Sequence, residues 1–513
     1  MTTAVPLTPS LEEFRELAKH GNLIPVFTEL IADSETPVSA FRKIDDGGYS
    51  FLLESAEQND QGGRYSFVGT SPHVTFESHG RKIRITEDGK VREFETNADP
   101  LHELQALMSQ YKLVAPAPHH GGQLPFAGGA VGYLTYDMVR FFEPSIGAAP
   151  KDEIGLPESF FLITDSVLIF DHRTRGLRIV CNAHVRDGVD EAYAQAASRI
   201  AELAERLSRP SKLPPIFARK APEPVKPRCN TTPEEYMQMV RDSHEYIHAG
   251  DIFQIVPSQR FETDYAGDPL TLYRTLRFVN PSPYMFCLTF GGRFALVGSS
   301  PEVHVRAMNG QVEIRPIAGT KRRGATEEED DRNAQLLLAD PKERAEHLML
   351  VDLARNDVGR IADFGTVQVT DFMSIEKYSH VMHIVSNVTG RLRPDKNAFD
   401  VMRATFPAGT VSGSPKVRAM QIINQLEKSK RGVYAGAVGY FGFDGNSDSC
   451  IALRTVVLKD GKAYVQAGAG VVADSTPEGE HQECVNKAMA LMAAIARARE
   501  AEGVGKIRNQ NEE

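Results

Sequence analysis

Apolar and polar positions alternate through much of roughly the first 180 residues, and that period of two predicts strands. YSFLLES (49–55), GRYSFVGTS (63–71) and KIRITEDGKVREFE carry β-branched and aromatic residues in such runs. In the last, Asp88-Gly89 is a tight-turn dipeptide, so the segment reads as a hairpin. SFFLITDSVLIFD and LRIVCNAHV, separated by a turn at Arg173–Gly176, predict a second hairpin. Helix starts are marked by caps. Ser10 and Glu13 form a capping box, and Asp99-Pro100 opens a helix through about Tyr111. A further helix is expected from about Val189 to Leu207.

The pattern then breaks. RPSKLPPIFARKAPEPVKP holds six prolines between Pro210 and Pro227, which sustain neither helix nor central strand. Thr232-Pro233-Glu234-Glu235 restarts the chain with a capping box, and that helix should stop at Gly250. Strands and helices mix from there to about residue 503. The expected plan is a helical extension (1–24), a first domain (25–208), a Pro-rich linker (209–231), a second domain (232–503) and a polar tail (504–513).

Length and composition fit that plan: 513 residues exceed one ordinary core at a prior of about 150 residues per domain. The formal charge of −10 argues against nucleic acid or an anionic membrane as partner, though not against a small anion. No apolar run nears the ~20 residues that cross a bilayer, and the N-terminus shows no secretion signal. Five scattered cysteines without C-x-x-C spacing read as reduced thiols, so a cytoplasmic location is expected.

Candidate chemistry lies in the second half. After Asp340-Pro341, Glu343 and Glu346 are three apart on one helix face, and after Thr476-Pro477, Glu480 and Glu483 repeat the spacing. Like charges so placed repel unless a cation compensates, and carboxylate-only ligation suits Mg²⁺. Equally, acids are ordinary in first helical turns, and Glu483 with Lys487 fits a solvated pair. RPIAGTKRRG (315–324) and VQAGAGVVADS (465–475) put glycines where backbone N–H groups can hold a carboxylate, or where a strand simply bulges. FPAGTVSGSPKVRAM runs from a loop into a helix beginning near Pro415, either an anion site or a plain cap. In YSHVMHIVSNVTG, His380 and His383 should face opposite sides of a strand, and one of them could serve as acid or base.

Taken in order, DIFQIVPSQRF, GSSPE, PIAGTKRRG, ERAEHLMLVDLARND, YSHVMHIVS, FPAGTVSGSPK, AGAGVVADS and EGEHQECVNKA resemble the chorismate-utilising enzymes. Within them the match is to component I of anthranilate synthases, over about residues 25–180 and 232–490. The resemblance implies a mixed α/β (α+β) fold class, with two domains whose sheets pack as a β-sandwich with helices outside. It implies a reaction in which chorismate and ammonia give anthranilate and pyruvate. Mg²⁺ ligands would be Glu346 and Glu483, supported by Glu343 and Glu480. Chorismate would meet Gly319, Thr320, Tyr434, Arg454, Gly468, Ala469, Gly470 and Lys487. Glu302 would protonate the departing hydroxyl, His383 would remove the ring proton, and Thr410 would line the site.

Two positions narrow the family implication. Gln254 stands where water-activating relatives carry lysine, and Ala318 where aminodeoxychorismate synthases carry a nucleophilic lysine. Component I of aminodeoxychorismate synthase is the alternative, separable by product. Ser55, Pro283, Tyr284 and Met285 match a feedback site for L-tryptophan, though a strand end and a Pro-bounded turn would look the same. With no glutamine amidotransferase segment in the sequence, a separate subunit is expected to deliver ammonia, in a heterotetramer.

Overall fold

The computed structural model describes residues 5–509 except 56–62, 117–123, 187, 212, 218–221, 223–224 and 379–380. His380, the first four residues, parts of the Pro-rich stretch and residues 510–513 of the polar tail lie outside the described residues.

Among the described residues two large antiparallel sheets form, of 11 and 12 strands. Each draws on both halves of the chain. In the first sheet the seam is Tyr49–Glu54 against Tyr284–Phe290, with Leu53 opposite Phe286. In the second it is Gly129–Leu134 against Ala437–Gly442, with Gly132 opposite Gly439. Ile317–Arg322 and Val381–Arg391 pair at the far end of the second sheet, away from the Lys82–Glu87 and Lys90–Glu95 hairpin.

The sheets pack face to face with helices outside, the expected sandwich. Phe51, Tyr133, Phe160, Phe286, Phe290 and Tyr440 fill the layer between them, and the Phe160 and Phe290 ring centroids lie 4.8 Å apart. Strand neighbours point the other way, as a period of two requires. Leu52 and Cys287 thus join the outer core beneath Pro233–His248 and Pro477–Asn509. The second sheet's outer face is covered by Pro100–Met108, Pro341–Gly359 and Ala398–Thr405.

Local signals are met at the expected places. Ser10 and Thr232 each close a reciprocal capping box, with Glu13 and Glu235. Asp88 and Gly89 both take positive φ, 47° and 77°, in the hairpin turn. The helix opened by Asp99-Pro100 ends at Met108, short of Tyr111, and the last helix continues through Asn509 into the stretch read as polar tail.

One expectation changes. SFFLITDSVLIFD is not a single hairpin arm. Ser159–Thr164 belongs to the second sheet, and the chain crosses at Asp165 so that Ser166–Asp171 pairs with Gly176–His184 in the first. Both strands are buried on both faces, so an unbroken apolar run conceals the change of sheet. The cysteines are all free. No helix among the described residues is long and apolar enough to cross a membrane.

Candidate active site

The bulged strand Ile317–Arg322 and its neighbour Val381–Arg391 place Thr320 opposite His383. His383 Nδ1 donates to the Gly319 carbonyl at 2.8 Å, with Thr320 Oγ1 at 3.1 Å. A carbonyl only accepts, so Nδ1 carries the proton and Nε2 keeps its lone pair. Burial holds His383 below the ordinary histidine range and the Arg454 charge adds to that, while the Gly319 carbonyl opposes both. The ring is therefore neutral near pH 7 and able to accept a proton at Nε2. Tyr378 packs edge-on against it, 5.4 Å between centroids.

Gly319, at φ 66°, needs its missing side chain twice over. A Cβ there would strain the backbone and stand 3.0 Å from Glu343 Oε2. This brings the acidic face of Pro341–Gly359 against the turn. Asp340 caps that helix through the Lys342 and Glu343 amides. Burial, then Glu346 and Asp340, raise the Glu343 carboxyl. Glu346 Oε1 accepts from Gln254 Nε2 at 3.1 Å, and Gln254 in turn borders Gly470, whose Cβ would lie 3.0 Å from Nε2.

The second acidic face starts the last helix. Glu480 is raised by burial and by Glu483, and lowered by Ser475, Lys487 and Lys342. Lys342 belongs to the other acidic helix, so the two helix starts face one another. Glu483 is exposed and paired with Lys487 at 2.7 Å, the solvated pair that its spacing allowed. Lys487 also donates to the Gly468 carbonyl at 3.1 Å. Among the described residues no group of three or more His, Cys, Asp or Glu side chains is gathered to hold a metal. The two carboxylates named for Mg²⁺ would leave the rest of an octahedral shell to water and substrate, which that ion tolerates.

Glu302 follows the strand Phe294–Ser300. Burial pushes its carboxyl up to about 7, against the lowering pull of Thr410 and Lys487. Thr410 Oγ1 is buried close to Glu302, though outside hydrogen-bond geometry with it or with any other group among the described residues. Tyr434 is buried, and its hydroxyl would lie 2.7 Å from a Cβ on Gly468. Ala469 is fully buried, its N–H directed to the Pro257 carbonyl at 3.4 Å. Arg454, at φ 45°, donates to Asn280 Oδ1 at 3.3 Å. The residues expected to carry catalysis, substrate and metal are thus neighbours of one another, linked residue to residue.

Ser55, Pro283, Tyr284 and Met285 also meet, in a separate cavity of about 500 Å³. Tyr284 donates to Asp448 at 2.9 Å, and Arg306 braces both. Ile317 and Tyr378 line this cavity too, so it shares a wall with His383. Sequence reasoning passed over Tyr378 and the buried pair Glu427–Arg431. EKSKRG (427–432) reads as a charged surface turn, and nothing in its spacing marks two of its charges as buried.

Comparison with known proteins shows the family. The chorismate binding enzyme family matches residues 48–493. Anthranilate synthase component 1 of Aquifex aeolicus is 49% identical over 498 residues, covering 97% of this chain and 99% of that one. The Acetivibrio thermocellus protein of the same name is 47% identical over 501 residues, covering 96% and 99%. The crystal structure of anthranilate synthase component I from Streptococcus pneumoniae superposes with a TM-score of 0.74 at 37% identity, covering 90% of this chain and 99% of that one. The menaquinone-specific isochorismate synthase of Escherichia coli, at 19% identity and a TM-score of 0.66, covers 95% and 99% and shares the fold. The chain is an enzyme and belongs to the chorismate-binding family, in its anthranilate synthase component 1 branch.

Proposed function

We propose that this chain converts chorismate and ammonia to anthranilate and pyruvate in the cytoplasm, as the aminating subunit of an anthranilate synthase. The observation that carries the reading is the opposite tuning of two groups in one cleft. Glu302 is raised to about 7 and can hold a proton, while His383 is lowered and can take one.

In the first step Glu302 gives its proton to the departing ring hydroxyl. The C–O bond breaks and water leaves as nitrogen bonds to the ring carbon beside the carboxylate-bearing one. Ammonia brings three hydrogens and the product amine keeps two, so the third restores the Glu302 carboxyl. In the second step His383 Nε2 takes the proton from the amine-bearing carbon. The bond from ring to enolpyruvyl oxygen breaks, the ring becomes aromatic, and the released enol takes up a proton as pyruvate. Arg454 and Lys487 offset the substrate's negative charge, and Gly319 and Gly468–Gly470 let backbone donors approach it.

Mg²⁺ would be held by Glu346 and Glu483, with Glu343 and Glu480 supporting from one turn away. The all-carboxylate donor set suits a hard cation, and burial, with a neighbouring glutamate adding to it, raises the carboxyls of both Glu343 and Glu480. When bound, the ion supplies Lewis acidity and orients the ring carboxylate. A glutamine amidotransferase subunit would deliver ammonia, in a heterotetramer. L-Tryptophan would occupy the cavity at Ser55, Pro283, Tyr284 and Met285 and inhibit from there, a coupling between two ligand sites.

Replacing His383 with alanine tests the assignment of the base. The aminated cyclohexadiene should accumulate, seen by chromatography, while anthranilate formation drops about 100-fold or more. Anthranilate formed at the normal rate would remove His383 from the mechanism.

A further inference from the structure

Arg431 is one of the most enclosed cations of the chain, 3% exposed, and its partner Glu427 is 8% exposed. Arg431 Nε donates to Glu427 Oε2 at 2.9 Å and Nη2 to Oε1 at 2.6 Å, a bidentate fork. The remaining donors leave the pair: Nη1 reaches the Val411 carbonyl at 2.8 Å, and Nη2 the Val256 carbonyl at 2.5 Å. Glu427 Oε1 also accepts from the Ser258 amide and hydroxyl, both at 2.8 Å. The guanidinium lies 5.6 Å from the Tyr434 ring centroid and 4.7 Å from that of Tyr136.

Four of these contacts, to Val411, Val256, Tyr434 and (through Glu427) Ser258, end beside the active site. Val411 adjoins Thr410, whose hydroxyl acts on Glu302. Val256 lies in the segment that carries Gln254, the partner of Glu346. Ser258 is the strand partner of Gly468, and Tyr434 is itself a site position. A buried ion pair is not an efficient way to stabilise a core, since apolar side chains of equal volume often do as well. What apolar side chains cannot do is aim several donors, held in one plane, at separate backbone segments.

We propose that Arg431, locked by Glu427, is a positioning residue of the reaction: it fixes the Thr410 loop against Glu302 and the Gln254 segment against Glu346. It touches no reacting atom. The proposal rests on the reading of Glu302 as the general acid.

The test uses the Arg431→Met/Glu427→Leu double variant, which removes both charges together, with Arg431→Lys and Thr410→Val beside it. The rate of anthranilate formation from chorismate is measured against pH at constant free ammonia and saturating Mg²⁺. In the double variant kcat should fall roughly 10- to 100-fold, the scale of a small misplacement around a reacting centre. Its alkaline limb should move to higher pH, because Thr410 no longer pulls the Glu302 carboxyl down. Thr410→Val should move the limb in the same direction, and adding it to the double variant should move it no further. Should the double variant fail to fold, Arg431→Lys, which keeps the charge and loses the fork, should show the same limb movement. A lower melting temperature with an unmoved limb, or a folded double variant with wild-type kcat, would overturn the positioning role. A wild-type chain that makes no anthranilate at all would instead sink the function on which it rests.

Discussion

Burial shifts Glu302 upward and His383 downward for one reason: a poorly hydrated cleft disfavours the charged form of either. The consequence for rate is a window. At constant free ammonia, kcat/KM should rise through an acidic limb below the ordinary histidine value, as His383 loses its proton. It should fall through an alkaline limb near 7, as Glu302 loses its own. A rate that stays flat from pH 5 to 9 would contradict both assignments. The same shift bears on stability. A carboxyl raised on folding favours the folded state below its unfolded value and loses that contribution as pH rises through the folded value. Glu302→Gln should therefore leave unfolding free energy nearly unchanged at pH 4.5 and raise it by about 3 kcal/mol at pH 8, measured by urea unfolding.

Two helix starts set like charges against each other, and this decides what the elements can do. Asp340 and Thr476 hold the first turns of these helices, which carry Glu343 and Glu480, and Glu346 and Glu483 follow one turn later on the same faces. Lys487 and Lys342 offset part of that charge, and Glu343 and Glu480 stay raised all the same. Glu346→Ala and Glu483→Ala should each raise the Mg²⁺ concentration for half-maximal rate at least about 10-fold, with folding intact, as loss of a ligand does. Glu343→Gln should have a smaller effect on the same titration. Equal effects at all four positions would argue for a diffuse acidic surface. This scale was also the most legible from sequence, because caps and charge spacing are local. Ser10, Asp99, Thr232 and Asp340 each cap the expected helix, and Asp88-Gly89 turns the expected hairpin. The change of sheet at Asp165 was not legible, because strands buried on both faces lose the alternation that locates them.

At the scale of the whole molecule the two halves are joined by sheets that run through both, and the cavity at Ser55 and Tyr284 lies at that seam. Ser55 and the Pro283–Met285 turn are far apart in sequence, and only the pairing of Tyr49–Glu54 with Tyr284–Phe290 brings them together. Spacing cannot show such a meeting; the family motifs pointed to both segments. The converse holds for Arg431, which belongs to no local pattern and becomes visible only where four segments converge. Met285→Thr should weaken inhibition by L-tryptophan at least about 10-fold while kcat without inhibitor changes less than about 2-fold, since the cavity is distinct from the cleft. Parallel loss of activity and inhibition would place tryptophan in the cleft itself.

On the proposed function, this chain alone carries the chemistry once ammonia is supplied. Purified protein, given chorismate, ammonium salt at raised pH and Mg²⁺ without any partner subunit, should generate the fluorescence of anthranilate with one pyruvate for each anthranilate. Folded protein that forms neither product under those conditions, or that forms an aminated product without releasing pyruvate, would contradict the account.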